Sequence, residues 1–137
     1  MNAINLRDAL KTVRTLEASA TTSIEEAMDA MTMLGDFNRC MLGLTRFHGL
    51  TPWERHPDDE LLCILEGSVD VEILTAEGSS KRSMLAAGDV LIVPGDLWHR
   101  QRTVDGVALL FLTSRDGNEE SWADDPRGGS PSRRRAS

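Results

Sequence analysis

A chain of 137 residues holds one domain and one hydrophobic core, not two. Its 40% hydrophobic and 27% charged content is ordinary for a globular fold, and its net charge of -7 argues against a nucleic-acid partner. No apolar run approaches the roughly 20 residues that cross a bilayer, which points away from a membrane partner. The acidity is concentrated: the last eleven residues hold four Arg and no acid, so the first 126 carry 11 basic against 22 acidic side chains. Met1–Asn5 lacks the basic start and apolar stretch of a secretory leader, so the expected compartment is the cytoplasm.

Residues 4–17 predict a helix, with Leu6, Leu10, Val13 and Leu16 on one stripe. Ser23 and Glu26 are spaced as a capping box that opens a second helix. Ala27, Ala30, Met31 and Leu34 supply its buried face, and Gly35 fits its stop. Met28, Met31, Met33 and Met41 suit adaptable packing better than a thioether metal site. Residues 1–38 therefore predict a helical N-terminal arm that covers the main body or a partner subunit.

From Cys40 the texture changes to short apolar runs punctuated by Gly, Pro and Asp. Strands are expected at 40–48, 60–66, 69–73, 81–86, 89–93, 98–104 and 106–113, with a hairpin connection at Thr75–Ser80. Many short strands with frequent turns indicate a mainly β sandwich or barrel over residues 39–114, without an internal repeat. Cys40 and Cys63 lie on strands as free thiols, and Cys63 has no His or Lys beside it to activate it. Residues 115–137 read as a flexible tail that contributes little. Trp122 is the one residue there suited to docking, and Arg133–Arg135 form a solvated basic run.

Two stretches carry chemistry. The first runs from Gly49 to Glu60 and continues to Gly67, with Glu54, His56 and Glu60 inside it. The second runs from Gly88 through Pro94 to His99. Successive strand residues alternate between faces, so Glu54, His56 and Glu60 can share the interior face, with His99 inward as well. Trp53, Arg55, Trp98 and Arg100 then point outward, the two Trp toward the arm or a dimer interface. Interior His and Glu side chains are costly unless hydrogen-bonded or bound to an ion.

Together these stretches resemble the two motifs of the cupin superfamily. His56 matches the second His of the family's first motif, Glu60 its Glu and Gly67 its Gly. Gly88, Pro94 and His99 match the second motif. The pattern departs at Glu54, where the family has its first His, and at Asp96, where a small turn residue is common. The resemblance implies a double-stranded jelly-roll β-barrel that holds one divalent metal ion (Fe, Mn, Ni, Co or Zn) through His56, Glu60 and His99. Glu54 is a fourth ligand or a catalytic acid-base group. A carboxylate there favours harder ions such as Fe(II) or Mn(II).

The expected cavity lining is Leu44, Leu62, Ile64, Val69, Val71, Leu109 and Leu91 or Ile92, an apolar pocket with polar groups at one end. Arg46, Arg100 and Arg102 either clamp an anionic substrate or are solvated charges, and His48 is a surface or rim residue. The chain has no Tyr, no glycine-rich phosphate loop and no nucleophile elbow. The implied function is a metal-dependent enzyme acting on a small organic substrate by dioxygenase-, isomerase- or lyase-type chemistry. The alternatives are a non-catalytic cupin that binds or senses a small ligand, and a purely structural assembly module. Pairing through an exposed strand edge implies a homodimer.

Overall fold

The expected strands are present from residue 40 onward, but several fuse. The computed structural model describes residues 2–128 and the backbone of 133–134. Its strands are β1 (Thr15–Ala18), β2 (Thr32–Phe37), β3 (Cys40–Leu50), β4 (Trp53–Arg55), β5 (Glu60–Ala76), β6 (Ser79–Ala86), β7 (Val90–Val93), β8 (His99–Ser114) and β9 (Glu119–Ser121). β8 lies at the centre, with β3 and β4 on one edge and β5 on the other. β5 in turn carries β6 and β7 on its far edge. The sheet curls on itself into a mainly β, double-stranded jelly-roll barrel.

The break expected at Gly67 is a bend within one long strand. Gly67 has φ 75°, and a Cβ there would lie 2.1 Å from the Gly106 carbonyl oxygen. Gly106, at φ 102°, turns the partner strand at the same level, so β5 and β8 bend together where the Gly67 and Gly106 backbones meet.

One apolar cluster fills the barrel interior, built on Phe47, Leu62, Ile64, Val69, Val71, Ile73, Leu109 and Phe111. A second cluster joins Leu10 and Val13 of the arm to Leu44 and Ala108 of the sheet. Leu44 and Thr45 are neighbours on β3, so they face opposite ways. Leu44 therefore packs beneath the arm rather than lining the cavity, which corrects the expected parity of this strand.

The arm is less helical than its periodicity predicts. The first helix, α1, spans only Leu6–Leu10, and α2 spans Ile24–Ala30. Thr12 turns its hydroxyl onto the Ala9 carbonyl at 2.8 Å, and the β-branched run that follows leaves the helix. Thr15–Ala18 then pairs in parallel with Arg46–Gly49. The capping box of Ser23 and Glu26 is present, but Met31 is extended and ends α2 before Leu34. The next residues pair with β3 instead, because a sheet edge is open to them.

Residues 115–128 also differ from expectation, since they build part of the body. β9 pairs with β4, and Asn118, Glu120 and Ser121 are buried. The Arg127 guanidinium donates to the Ala76 carbonyl. The basic run at Arg133–Arg135 lies outside the described residues, apart from the backbone of Arg133–Arg134, which pairs with Glu119–Glu120. Among the described residues, no helix is long and apolar enough to cross a membrane.

Candidate metal centre

Three strand ends bring the polar residues together. Glu54 sits in β4, His56 follows that strand, Glu60 opens β5 and His99 opens β8. Glu54 and His99 are direct partners across β4 and β8, and direct partners share a face. The loops of the two motifs also dock on each other. The Asp96 backbone N–H donates to the His56 carbonyl at 2.8 Å, and the Gly95 N–H donates to Asp59 Oδ1 at 2.8 Å. A Cβ on Gly95 would lie 2.7 Å from the Pro57 carbonyl oxygen, so the close approach requires glycine. Asp96 adopts φ 64°, a left-handed conformation that Asp tolerates better than most residues, which accommodates the departure from a small turn residue.

His56, Glu60 and His99 are all buried, and their candidate ligand atoms lie within 4.8 Å of one another. His99 Nε2 is 3.0 Å from Glu60 Oε1, and His56 Nε2 is 3.3 Å from Glu60 Oε2. His56 Nε2 is 3.8 Å from Glu54 Oε2. These three residues form a group able to hold a metal ion, and Glu54 stands beside it.

The other nitrogen of each ring decides the chemistry. Asn118 donates its amide to the Ser114 carbonyl, so its oxygen, 2.8 Å from His56 Nδ1, accepts the His56 N–H. His99 Nδ1 donates to the Leu97 carbonyl at 3.1 Å. With both Nδ1 atoms donating, the neutral rings present their Nε2 lone pairs to a carboxylate that is itself rich in lone pairs. His56 Nε2 has no hydrogen-bond partner, because its approach to Glu60 has ion-pair distance without hydrogen-bond geometry. Thr113 donates its hydroxyl to Glu60 Oε2 and holds that carboxylate in place. His56, Glu60 and His99 would be the residues to hold a cation here, and it would take up these lone pairs.

The ion-free electrostatics say the same. Burial works to lower the His56 pKa, but the Glu60 carboxylate, then Glu54 and the Asn118 hydrogen bond, outweigh it and push the group up to about 9. For Glu60, burial works to raise the pKa, and the neighbouring imidazoles, His56 first and then His99, hold it well below the usual carboxylate range. A proton on His56 then supplies the positive charge that an ion would bring.

The centre opens on a cavity of about 80 Å³, room for a handful of waters or one small organic molecule. Its walls include Phe47, Leu62, Leu109, Phe111, Met31 and Met41. The arm closes one side with Leu16, Ile24 and Ala27. Leu62 and Leu109 line it as expected, whereas Ile64, Val69 and Val71 lie in the barrel core. Leu91 packs against that core and Ile92 is exposed.

Among the described residues, no arginine lines the cavity. Arg46 pairs with Glu66 at 2.6 Å, Arg100 pairs with Glu72 at 3.1 Å, and Arg102 is exposed. His48 pairs with Glu17 at 3.3 Å near the surface. Trp53 and Trp98 do point outward, but they pack on Leu74 rather than beneath the arm. Asn118, Thr113, Gln101 and Glu120 belong to the site and were not anticipated. Asn118, Glu120 and Trp122 recur at two-residue steps, the one local signal of a strand there.

A family profile for the cupin domain matches residues 47–114, about half of the chain. No curated protein sequence matches significantly. Among solved structures, a cupin-2 domain protein from Shewanella frigidimarina superposes with a TM-score of 0.62 at 18% identity, over 82% of this chain and 94% of that one. A protein from Neisseria meningitidis gives 0.60 at 21% identity, over 82% and 99%. Hydroquinone 1,2-dioxygenase from a Sphingomonas species, with 4-hydroxybenzoate bound, gives 0.56 at 15% identity, over 77% and 85%. At these identities the structures testify to the fold. With the profile match, the paired motifs and the barrel in agreement, the chain belongs to the cupin superfamily.

Proposed function

We propose that this cupin is a metal-dependent enzyme acting on a small organic substrate, with one divalent ion held by His56, Glu60 and His99. The observation that carries the reading is the convergence of two imidazole Nε2 atoms on one buried carboxylate, with His56 Nε2 lacking a hydrogen-bond partner. Such an ion supplies Lewis acidity and, when redox-active, access to oxygen chemistry, so oxygenation, isomerisation and lyase reactions all suit it. Its identity lies among Fe, Mn, Ni, Co and Zn, with the carboxylate content favouring Fe(II) or Mn(II). Glu54, at 3.8 Å from His56 Nε2, serves as a fourth donor or moves a proton to and from the substrate. The apolar wall binds the body of the substrate, and the arm keeps bulk water away from the reacting end. We place the protein in the cytoplasm as a homodimer.

Elemental analysis of the purified protein beside His56→Ala and His99→Ala tests the centre. Near-stoichiometric metal in the parent and its loss from both variants is the expected result. Metal-free protein even after reconstitution with each of the five ions would sink the reading.

A second reading, a non-catalytic cupin that binds a small ligand, is favoured by one observation. With His56 pushed up to about 9, the ion-free centre balances its own charge and stands without metal. Recovery of a bound ligand chemically unchanged from metal-loaded protein separates the two readings.

A further inference from the structure

Two residues of the cavity wall, Gln101 and Trp122, each carry a buried hydrogen-bonding atom that has no partner among the described residues. The two atoms are of opposite kind. The Gln101 side-chain oxygen is an acceptor without a donor, and the Trp122 indole N–H is a donor without an acceptor. Their placement follows from the strands that build the metal centre. His99, Glu54 and Glu120 are consecutive cross-strand partners on β8, β4 and β9. Gln101 lies two residues beyond His99, and Trp122 two beyond Glu120, so alternation turns both toward the side that the centre faces, roughly 7 Å further along. The Gln101 backbone is fully engaged: its N–H donates to Thr51 Oγ1 at 2.9 Å, and its carbonyl accepts the Thr51 N–H at 3.0 Å. Its side chain is thus left over on a fixed backbone. The arm adds Leu16, Ile24, Ala27 and Met31 to the same wall. An unpaired buried donor or acceptor is costly, and a site that holds one of each rejects ligands that cannot meet them.

We propose that the cavity selects a small molecule with an apolar body and a neutral group that donates and accepts hydrogen bonds together, of carboxamide type. Gln101 Oε1 takes the N–H of that group, and Trp122 Nε1 donates to its carbonyl oxygen. A ketone meets only Trp122, and an amidinium meets only Gln101. The inference rests on the reading of the cavity as the substrate site, and it holds whether or not the bound molecule is turned over.

Isobutyramide, methyl isopropyl ketone and isobutyramidinium test it, with dissociation constants read by protein NMR titration at neutral pH. The three probes share a branched body. The ketone replaces the amide nitrogen by a methyl group, and the amidinium replaces the carbonyl oxygen by a second nitrogen. Each is run on metal-free and on Zn(II)-loaded protein, because an ion that coordinates a carbonyl favours the amide and the ketone alike and leaves their ratio to the wall. Isobutyramide is expected to bind about tenfold tighter than the ketone, the effect of one added hydrogen bond. Gln101→Met is expected to weaken the amide about tenfold and to leave the ketone unchanged, without lowering the thermal midpoint, because it removes a buried unpaired acceptor. Trp122→Phe is expected to weaken the amide and the ketone about tenfold each and to leave the amidinium unchanged. This crosswise pattern is one that a merely structural role would not produce. Losses that are equal for all three probes would overturn the inference, and so would the absence of amide binding. Equal binding of amide and ketone to the parent would mean that water already serves Gln101, which overturns it as well. Failure to take up Zn(II) with the crosswise pattern intact would support the inference and count against the metalloenzyme reading alone.

Discussion

The two faces of β4 and the start of β8 are built from alternate residues of the same short segments, yet they reach opposite solutions. On the outer face, Trp53 and Trp98 pack with Leu74 in a small apolar cluster. Arg55 lies 4.7 Å from the Trp98 ring centroid and Arg100 lies 4.3 Å from that of Trp53. Each of these cations also has a carboxylate, Glu119 at 2.9 Å and Glu72 at 3.1 Å. Every charge there is matched within the protein. On the inner face, Glu54, His56, Glu60 and His99 are more deeply buried than those arginines, and their lone pairs outnumber their protons. The alternation of a strand thus lets one segment anchor the fold on one side and gather imidazoles and carboxylates around one point on the other. That pattern is what an ion or a ligand completes.

The sharpest way to break the contrast is Glu60→Gln, which keeps the shape of the side chain and removes its charge. It is expected to abolish metal retention, read as metal content per folded protein, since both imidazoles converge on that carboxylate. Retention of stoichiometric metal would show that Glu60 is not a ligand. The matching experiment on the outer face is Trp98→Ala. It should cost about 3–5 kcal/mol of unfolding free energy, read by denaturant titration, because it empties a buried cluster. Metal content of the folded fraction should not change. A variant that loses both together would mean the faces are not independent.

Asn118→Ala sharpens the comparison at a finer level. Asn118 touches neither the cavity wall nor the candidate ligand nitrogen, but its oxygen fixes which nitrogen of His56 carries the proton. Its loss should weaken metal affinity roughly 10–100-fold, measured by competition with a chelator. Asn118→Asp, which keeps the acceptor, should retain most of that affinity. Equal losses in both variants would argue for a purely structural role.

The inner face was legible in the sequence and its support was not. Parity put Glu54, His56 and Glu60 on one face, because alternation along a strand is local, and the resemblance to the two cupin motifs joined His99 to them. Asn118 hydrogen-bonds to a residue 62 positions away, from a stretch rich in Asp, Gly and Glu that reads as solvated loop. Its position depends on β9 pairing with β4, and nothing within a short window encodes that. The arm shows the same limit. The stripe of Leu6, Leu10, Val13 and Leu16 fits a helix, but Leu10 and Val13 pack on Leu44 whereas Leu16 packs against the barrel core. The chain leaves the helix to reach both, since an open edge of β3 rewards an extended segment there. Leu44 was misplaced although its own strand carried the signal: Arg46 and His48, two and four residues on, share its parity and mark that face as outward.

The smallest effect also ties the inner face to pH, and its sign differs between two measurements. In the ion-free protein His56 is pushed from 6.5 up to about 9, whereas an unfolded chain leaves it near its ordinary value. A raised folded pKa stabilises the fold fully below the unfolded value and loses that contribution as pH rises through the folded one. The thermal midpoint of ion-free protein should therefore decline between about pH 6.5 and 9, on this group's account. Metal affinity should move the opposite way. The proton on His56 must leave before Nε2 can bind an ion, so each metal taken up in this window displaces one proton, and affinity should rise about tenfold per pH unit and level off near 9. His56→Gln, with no such proton, should flatten the decline in stability. A flat affinity profile in the parent, at full occupancy of the centre, would mean that the ion is held without His56, and the pairing of this face with metal would then have to be redrawn around Glu60 and His99.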